Sequence, residues 1–281
     1  MSETPFRVQV RRDVIVASGK DARTFLHSQL SNDIASLTPG RSTYAFALDP
    51  GGKLNALLRV RCLADDHFVL DTDAGSGVAA LARLNKFKIR VQCNFDLDTV
   101  DVVAVRGLAR GGRDALARDE GALLVAHPSA VAAWRIGDGA ADYFSISDAY
   151  DSIRLGSQAE FEVERVRRAW PTFGIDISDA SLPAETGLID VAVSFTKGCY
   201  PGQELVERMD SRGTTAPRVL MRLPAQMQGE PRGVIGGRAE VGGPYVIAGV
   251  DVGACTSVAG EFALVLVSRP HVQLATEWRT K

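Results

Sequence analysis

KGCYPGQELVERM, Lys197 to Met209, sets one cysteine between two glycines immediately ahead of a helical pattern. Gly198 and Gly202 permit backbone angles and close approaches that side chains block, and Pro201 fixes one φ between them. From Gln203 to Met209 the spacing predicts a helix. Leu205 and Met209 fall four apart on one face beside Val206, while Glu204, Glu207 and Arg208 stay wet. Cys199 then lies near a helix N-terminus with Lys197 close by, and both favour a thiolate. Two readings stand at this point: a reactive low-pKa thiol, or a structural cysteine buried in a tight loop with Tyr200.

Working outward, the composition is that of an ordinary globular chain. Its 281 residues, 46% hydrophobic and 23% charged, suffice for a sizeable core in one large or two smaller domains. A net charge of −2 excludes a domain-wide basic field of the nucleic-acid-binding kind. The N-terminus MSETPFRVQVRRD has no apolar run fit for a signal peptide, and no stretch is long and apolar enough for a membrane span. A cytoplasmic protein with no membrane partner is the expectation. Cys62, Cys93, Cys199 and Cys255 are widely spaced, without CxxC or clustered histidines, so no metal site is expected from this chain alone.

Val14 to Ala17, Tyr44 to Leu48 and Leu54 to Cys62 read as strands, and Asp21 to Leu30 and Val78 to Ile89 as helices. Asp49-Pro50-Gly51-Gly52 between two apolar runs predicts a hairpin, and Gly111-Gly112 a loop. Strands and helices mix without strict alternation, which favours an α+β class. After Pro217 the apolar runs become short, valine-rich and interrupted by glycine pairs, as in a small barrel or sandwich, so a boundary is expected near Ala216. A phosphate-binding P-loop is absent because Gly52-Lys53 lacks the earlier glycine. Gly75-Ser76-Gly77 lacks the third glycine of a dinucleotide fingerprint, and HExxH and GxSxG are missing.

Together with LPAETGLIDVAVSFT (Leu182 to Thr196), the opening stretch resembles the signature of the folate-binding YgfZ family, a branch of the superfamily with the fold of the glycine-cleavage T-protein, an aminomethyltransferase. GKDARTFLHSQLSND (Gly19 to Asp33), TPGRSTYAFALDPGGKLNALLRV (Thr38 to Val60) and the helix-like FEVERVRRAWPTFGIDI (Phe161 to Ile177) resemble the family's other shared blocks. Roughly Arg106 to Tyr150 has no convincing match. The resemblance implies ferredoxin-like antiparallel sheets with packed helices in a folate-binding domain, residues 1–216, and a small C-terminal β-barrel, residues 217–281. It implies tetrahydrofolate or another reduced folate as ligand.

A folate site needs an apolar slot, polar groups for the ring edge and a cation for the tail. Phe161 and Arg165, four apart on a predicted helix, are candidates for slot and cation, with Tyr44 and Asp33 as further walls. The enzymes of the superfamily carry a pocket aspartate where this chain reads Val78-Ala79-Ala80, and their GYTGE-like motif has no counterpart between Gly107 and Ala159. The resemblance therefore points away from an aminomethyltransferase and toward the family's association with iron–sulfur enzymes, whose cluster assembly or repair is supported by folate binding. Cys199, activated by Lys197 and the helix end, is the expected thiol, with Gln203 and Glu204 ordering its loop. A folate-dependent aminomethyl or methyl transferase is one alternative. The other is a role linked to tRNA modification, with Arg165, Arg167, Arg168 and Trp170 as the cationic and aromatic cluster.

Overall fold

Strands β1 (Phe6–Ser18) and β5 (Asn94–Arg106) pair antiparallel over their whole length and form the spine of a large sheet. On one side follow β4 (His67–Asp73), β3 (Leu54–Ala64) and β2 (Ser42–Leu48). On the other follow β7 (Ala141–Tyr143) and β6 (Ala130–Ala132), while the short β8 (Arg154–Leu155) runs parallel to β1. The computed structural model describes residues 4–107, 130–134, 139–144, 151–211, 216–228 and 235–279. The Gly111-Gly112 loop and the Pro-Arg-Gly turn near Gly233 lie outside them. Among the described residues no helix is long and apolar enough to cross a membrane.

Along β2 and β3 both faces of this sheet are buried, which is why these two strands read as mostly apolar runs. In β2, Ala45 and Ala47 face one core while Tyr44, Phe46 and Leu48 face the other, as period-two alternation requires. The first core is closed by α1 (Ala22–Gln29) and α2 (Gly77–Lys86), through Phe25, Leu26, Ala80 and Leu84. Asp13 of β1 ties down the start of α2, its Oδ2 accepting from the Gly75 and Gly77 amides at 2.8 Å. The second core holds Val166, Trp170, Tyr200 and Val206, and it also takes Leu220 and Leu264 from beyond residue 216. Burying a leucine or phenylalanine side chain in either core contributes about 1.5–3 kcal/mol.

Helix α3 (Gln158–Arg167) begins with a capping box in which Ser157 and Glu160 bond each other's backbone amides. The helical character expected through Ile177 ends ten residues earlier because Ala169 turns to φ 55° ahead of Pro171. Two further helices, α4 (Ile189–Ala192) and α5 (Gln203–Ser211), flank the cysteine loop.

Beyond Ala216, β9 (Arg218–Pro224), β12 (Pro244–Ile247), β13 (Val250–Ala259) and β14 (Phe262–Ser268) pair in the order β12-β13-β14-β9. A separate ribbon joins β10 (Gln226–Gln228) to β11 (Ile235–Arg238). Where a small barrel was expected, the pairing among the described residues is an open four-stranded path. A final helix, α6 (Val272–Arg279), covers it with Ala275 and Trp278 and had no sequence expectation attached.

Candidate functional site

The cysteine loop is seated on the β2–β3 hairpin. Asp49 and Lys53 close that hairpin, with the Gly52 amide bonded to the Asp49 carbonyl at 3.0 Å. Gly202 packs into it at φ +84°, and a Cβ there would lie 2.6 Å from the Asp49 carbonyl oxygen and 2.9 Å from Gly52 Cα. Gly202 is thus required by contact and by conformation. Gly198 is not: no atom lies within 4 Å of where its Cβ would stand, and it has no positive φ.

Lys197 reaches away from the loop to the end of α1, donating to the carbonyls of His27 and Leu30, the latter at 2.7 Å. Its ammonium also lies 4.7 Å from the Tyr200 ring centroid. Burial lowers the Lys197 pKa to about 8, against the opposing pull of Asp33 and Cys199. Gln203 Oε1 accepts from the Tyr200 amide at 3.2 Å, a bond within the loop. Glu204 is exposed on the first turn of α5. Tyr200 is buried, whereas Cys199 is a free and exposed thiol; Cys62, Cys93 and Cys255 are buried.

The preceding segment is pinned by the SND triplet. Ser31 Oγ donates to the Ala192 carbonyl at 2.6 Å, and Asn32 Nδ2 donates to the carbonyls of Tyr44 and Val191 at 2.7 and 3.0 Å. Asp33 accepts from the Ser36 amide and lies 3.2 Å from His27 Nδ1, beside Lys197. Asp33 therefore belongs to the surroundings of the cysteine loop and is not among the residues lining the cavity.

That cavity, about 200 Å³, opens between the large sheet and α3 and is walled by Tyr44, Trp134, Phe161 and Trp170. Tyr44 packs against Trp170 at 4.7 Å between centroids, and its hydroxyl accepts from the Trp134 amide at 2.8 Å. Trp134 and Phe161 pack at 5.6 Å. Burial raises the Tyr44 pKa, so its hydroxyl stays protonated. Tyr44 and Phe161 thus line one cavity, while Trp134 comes from the stretch that has no sequence match.

Arg165 also lines the cavity, but its guanidinium is fully engaged. Nε and Nη2 bond Glu162, Nη1 bonds the Trp170 carbonyl at 2.8 Å and Asp176 at 2.7 Å, and Nη2 bonds Ser257 Oγ at 2.9 Å. All the donors of a guanidinium are spent. The tail-binding role expected for Arg165 is replaced by that of a strut joining α3 to β13. Arg167 and Arg168 both pair with the buried Glu164, and Trp170 is buried, so the expected cationic and aromatic cluster faces inward.

Beneath the aromatic walls runs a ladder of charges that sequence reading missed. Arg12 bonds Asp71 and Asp73, Arg59 bonds Asp71 and Asp142 at 2.8 Å each, and Arg106 Nη1 bonds Asp142 at 2.8 Å. Arg59, Asp71, Arg106 and Asp142 are buried. Burial pushes the Asp142 carboxyl up, but Arg106 and Arg59 outweigh it and hold its pKa at about 2. The lining carboxylates Asp73, Asp142 and Glu162 are each paired with an arginine. Arginine inside a mostly apolar strand, such as Arg59 in LNALLRVRCLA, is the signal that could have found it. Among the described residues no cluster of three histidine, cysteine or acidic side chains can hold a metal.

No family model matches the chain. It is 24% identical over 218 residues to the tRNA-modifying protein YgfZ of Vibrio vulnificus, covering 75% of this chain and 67% of that one. To the protein of the same name from Edwardsiella ictaluri it is 29% identical over 225 residues, covering 71% and 65%. To the mitochondrial iron-sulfur cluster assembly factor IBA57 homolog of Mycosarcoma maydis it is 24% identical over 229 residues, covering 74% of this chain but only 54% of that protein. Among solved structures, the glycine cleavage system aminomethyltransferase T of Bartonella henselae matches with a TM-score of 0.69 at 19% identity, over 95% of this chain and 79% of its own.

Proposed function

Because the chain belongs to the YgfZ family and has an aminomethyltransferase-like fold, we propose that it binds tetrahydrofolate or another reduced folate and supports iron–sulfur cluster assembly or repair in client enzymes of the cytoplasm. The cavity fits the ring end of such a ligand. Four aromatic side chains wall it, and Arg106, whose buried Nε has no hydrogen-bond partner, also lines it. A bound reduced folate would supply a one-carbon carrier nitrogen and an oxidisable ring. The chain's own residues stack on that ring through Tyr44, Trp134, Phe161 and Trp170, and they keep water from its faces.

The observation that carries the reading is the shared core. Tyr200 of the cysteine loop packs in the same buried cluster as Tyr44, Trp134 and Trp170, so ligand site and thiol loop are parts of one packed body. Cys199 stands outside that cluster, exposed, on a loop held by Lys197, Tyr200 and Gln203. One thiolate completes no cluster by itself, so Cys199 acts as a shared or transient ligand to a client's cluster or to a sulfur species. The link to tRNA modification in the relatives' names is then indirect, through iron–sulfur enzymes that modify tRNA.

Anaerobic calorimetry with tetrahydrofolate, on wild type and Cys199→Ala, tests the first half, and activity of an iron–sulfur enzyme in cells lacking the protein tests the second. Saturable binding is expected in both forms, with client activity restored by wild type alone. Lack of binding refutes the folate site; full restoration by Cys199→Ala refutes the role of the thiol. Saturable binding accompanied by turnover of an aminomethyl or methyl donor favours the transferase reading instead.

A further inference from the structure

Arg106 is 2% exposed and uses only one nitrogen. Nη1 donates to the carbonyls of Val105 and Ala141 and to Asp142, at 2.9, 3.0 and 2.8 Å. Nε is buried with no partner, and among the described residues Nη2 makes no hydrogen bond. Nε–H and Nη2–H point the same way and form the side-on fork of the guanidinium. Its guanidinium carbon lies 4.1 Å from the Trp134 ring centroid and 5.0 Å from that of Phe161, and all three residues line the cavity. An unsatisfied charged donor in such a place is among the costliest features a fold retains, and a ligand acceptor removes that cost.

What class of acceptor belongs there follows from size and charge. At about 200 Å³ the cavity is below the roughly 300–1,000 Å³ of sites that enclose a drug-sized ligand, so it takes a ring system and leaves a tail outside. Arg12, Arg59 and Arg106 face Asp71, Asp73 and Asp142, while Arg165 alone faces both Glu162 and Asp176, so the carboxylates outnumber the guanidiniums five to four. A further full negative charge would meet uncompensated carboxylates, whereas a neutral carbonyl dipole would not. Resting on the folate reading above, we infer that the side-on fork of Arg106 donates to the ring carbonyl of the bound pteridine and selects ring-oxo over ring-amino ligands. Arg106, rather than Arg165, is then the arginine that recognises the ligand.

The test compares tetrahydrofolate with its 4-amino-4-deoxy analogue, in which the acceptor oxygen is replaced by a donor, by anaerobic calorimetry on the full chain. Wild type is expected to bind the oxo form about ten- to a hundredfold more tightly, the value of one hydrogen bond to a charged group. Arg106→Lys keeps a cation for Asp142 but loses the fork, and should bring the ratio toward unity with an unchanged near-ultraviolet circular dichroism spectrum. Equal binding of both ligands by wild type overturns the role of Arg106 and leaves the folate site standing. Binding of neither overturns both. A preference that survives in folded Arg106→Lys also overturns the assignment, and if that variant does not fold, the wild-type ratio decides alone.

Discussion

Replacing Arg165 by methionine should destabilise the fold far more than it weakens ligand binding. The side chain of Asp176 is 0% exposed, and among the described residues Arg165 is its only cationic partner. Without the guanidinium, Asp176 keeps the Thr172 amide at 2.9 Å and the hydroxyls of Thr256 and Ser257 at 2.5 and 2.7 Å, all neutral donors. Removing one member of a buried ion pair costs about 3–5 kcal/mol. The methionine stem refills part of the space, so the lower figure, about 3 kcal/mol, is expected. In urea unfolding followed by tryptophan fluorescence, with a slope of about 3 kcal/mol/M, that is a midpoint shift of about 1 M. Arg165→Met with Asp176→Asn should recover much of the loss, because no charge is then left buried and unpaired. Tetrahydrofolate binding by the still-folded single variant should persist. An unchanged midpoint together with abolished binding would show that the Arg165 donors serve the ligand and that the strut assignment is wrong.

Three further outcomes follow from the cysteine loop. Gly202→Ala drives a Cβ to 2.6 Å from the Asp49 carbonyl at φ +84° and should cost about 1–3 kcal/mol in thermal or urea melts, whereas Gly198→Ala, in open space, should stay within about 0.5 kcal/mol. Native alkylation followed by mass spectrometry should label Cys199 first; burial pushes the Cys255 thiol up to about 11 and also raises Cys93, so rapid modification of either would contradict the packing. Lys197 has a folded pKa of about 8 against an ordinary 10.5, so between these values the unfolded chain holds a proton that the folded chain has released. Wild-type stability should therefore rise with pH across that window relative to Lys197→Met, and parallel pH profiles of the two would disprove the burial of the ammonium.

The elements that sequence reading placed well are those governed by neighbours in the chain. The Asp49 to Gly52 hairpin, the Gln203 helix and the start of α1 depend on turn residues and on spacing of three and four, which a linear reading contains. The loop organiser Gln203 was legible for the same reason, since it bonds an amide three residues away. Arg165 was misjudged because its partners include Asp176 and Ser257, the latter 92 residues away in the chain. Asp33 was misplaced because α1 and the loop at Lys197 meet only in the folded chain.

The charge ladder shows the same division. Arg12, Arg59, Asp71, Arg106 and Asp142 come from five different strands, and only the order β3-β4-β1-β5-β7 and its registers bring them to one face. Which cysteine stays exposed, which arginine is saturated and which is left with an open edge are likewise set by tertiary packing. By itself the sequence determined the Gly202 turn of the cysteine loop and the helix after it, because local backbone rules act within a few residues, while the fold class came from the resemblance of its motifs to a family. Only the tertiary structure decided which charges meet, because burial and pairing depend on strands brought together from across the whole chain.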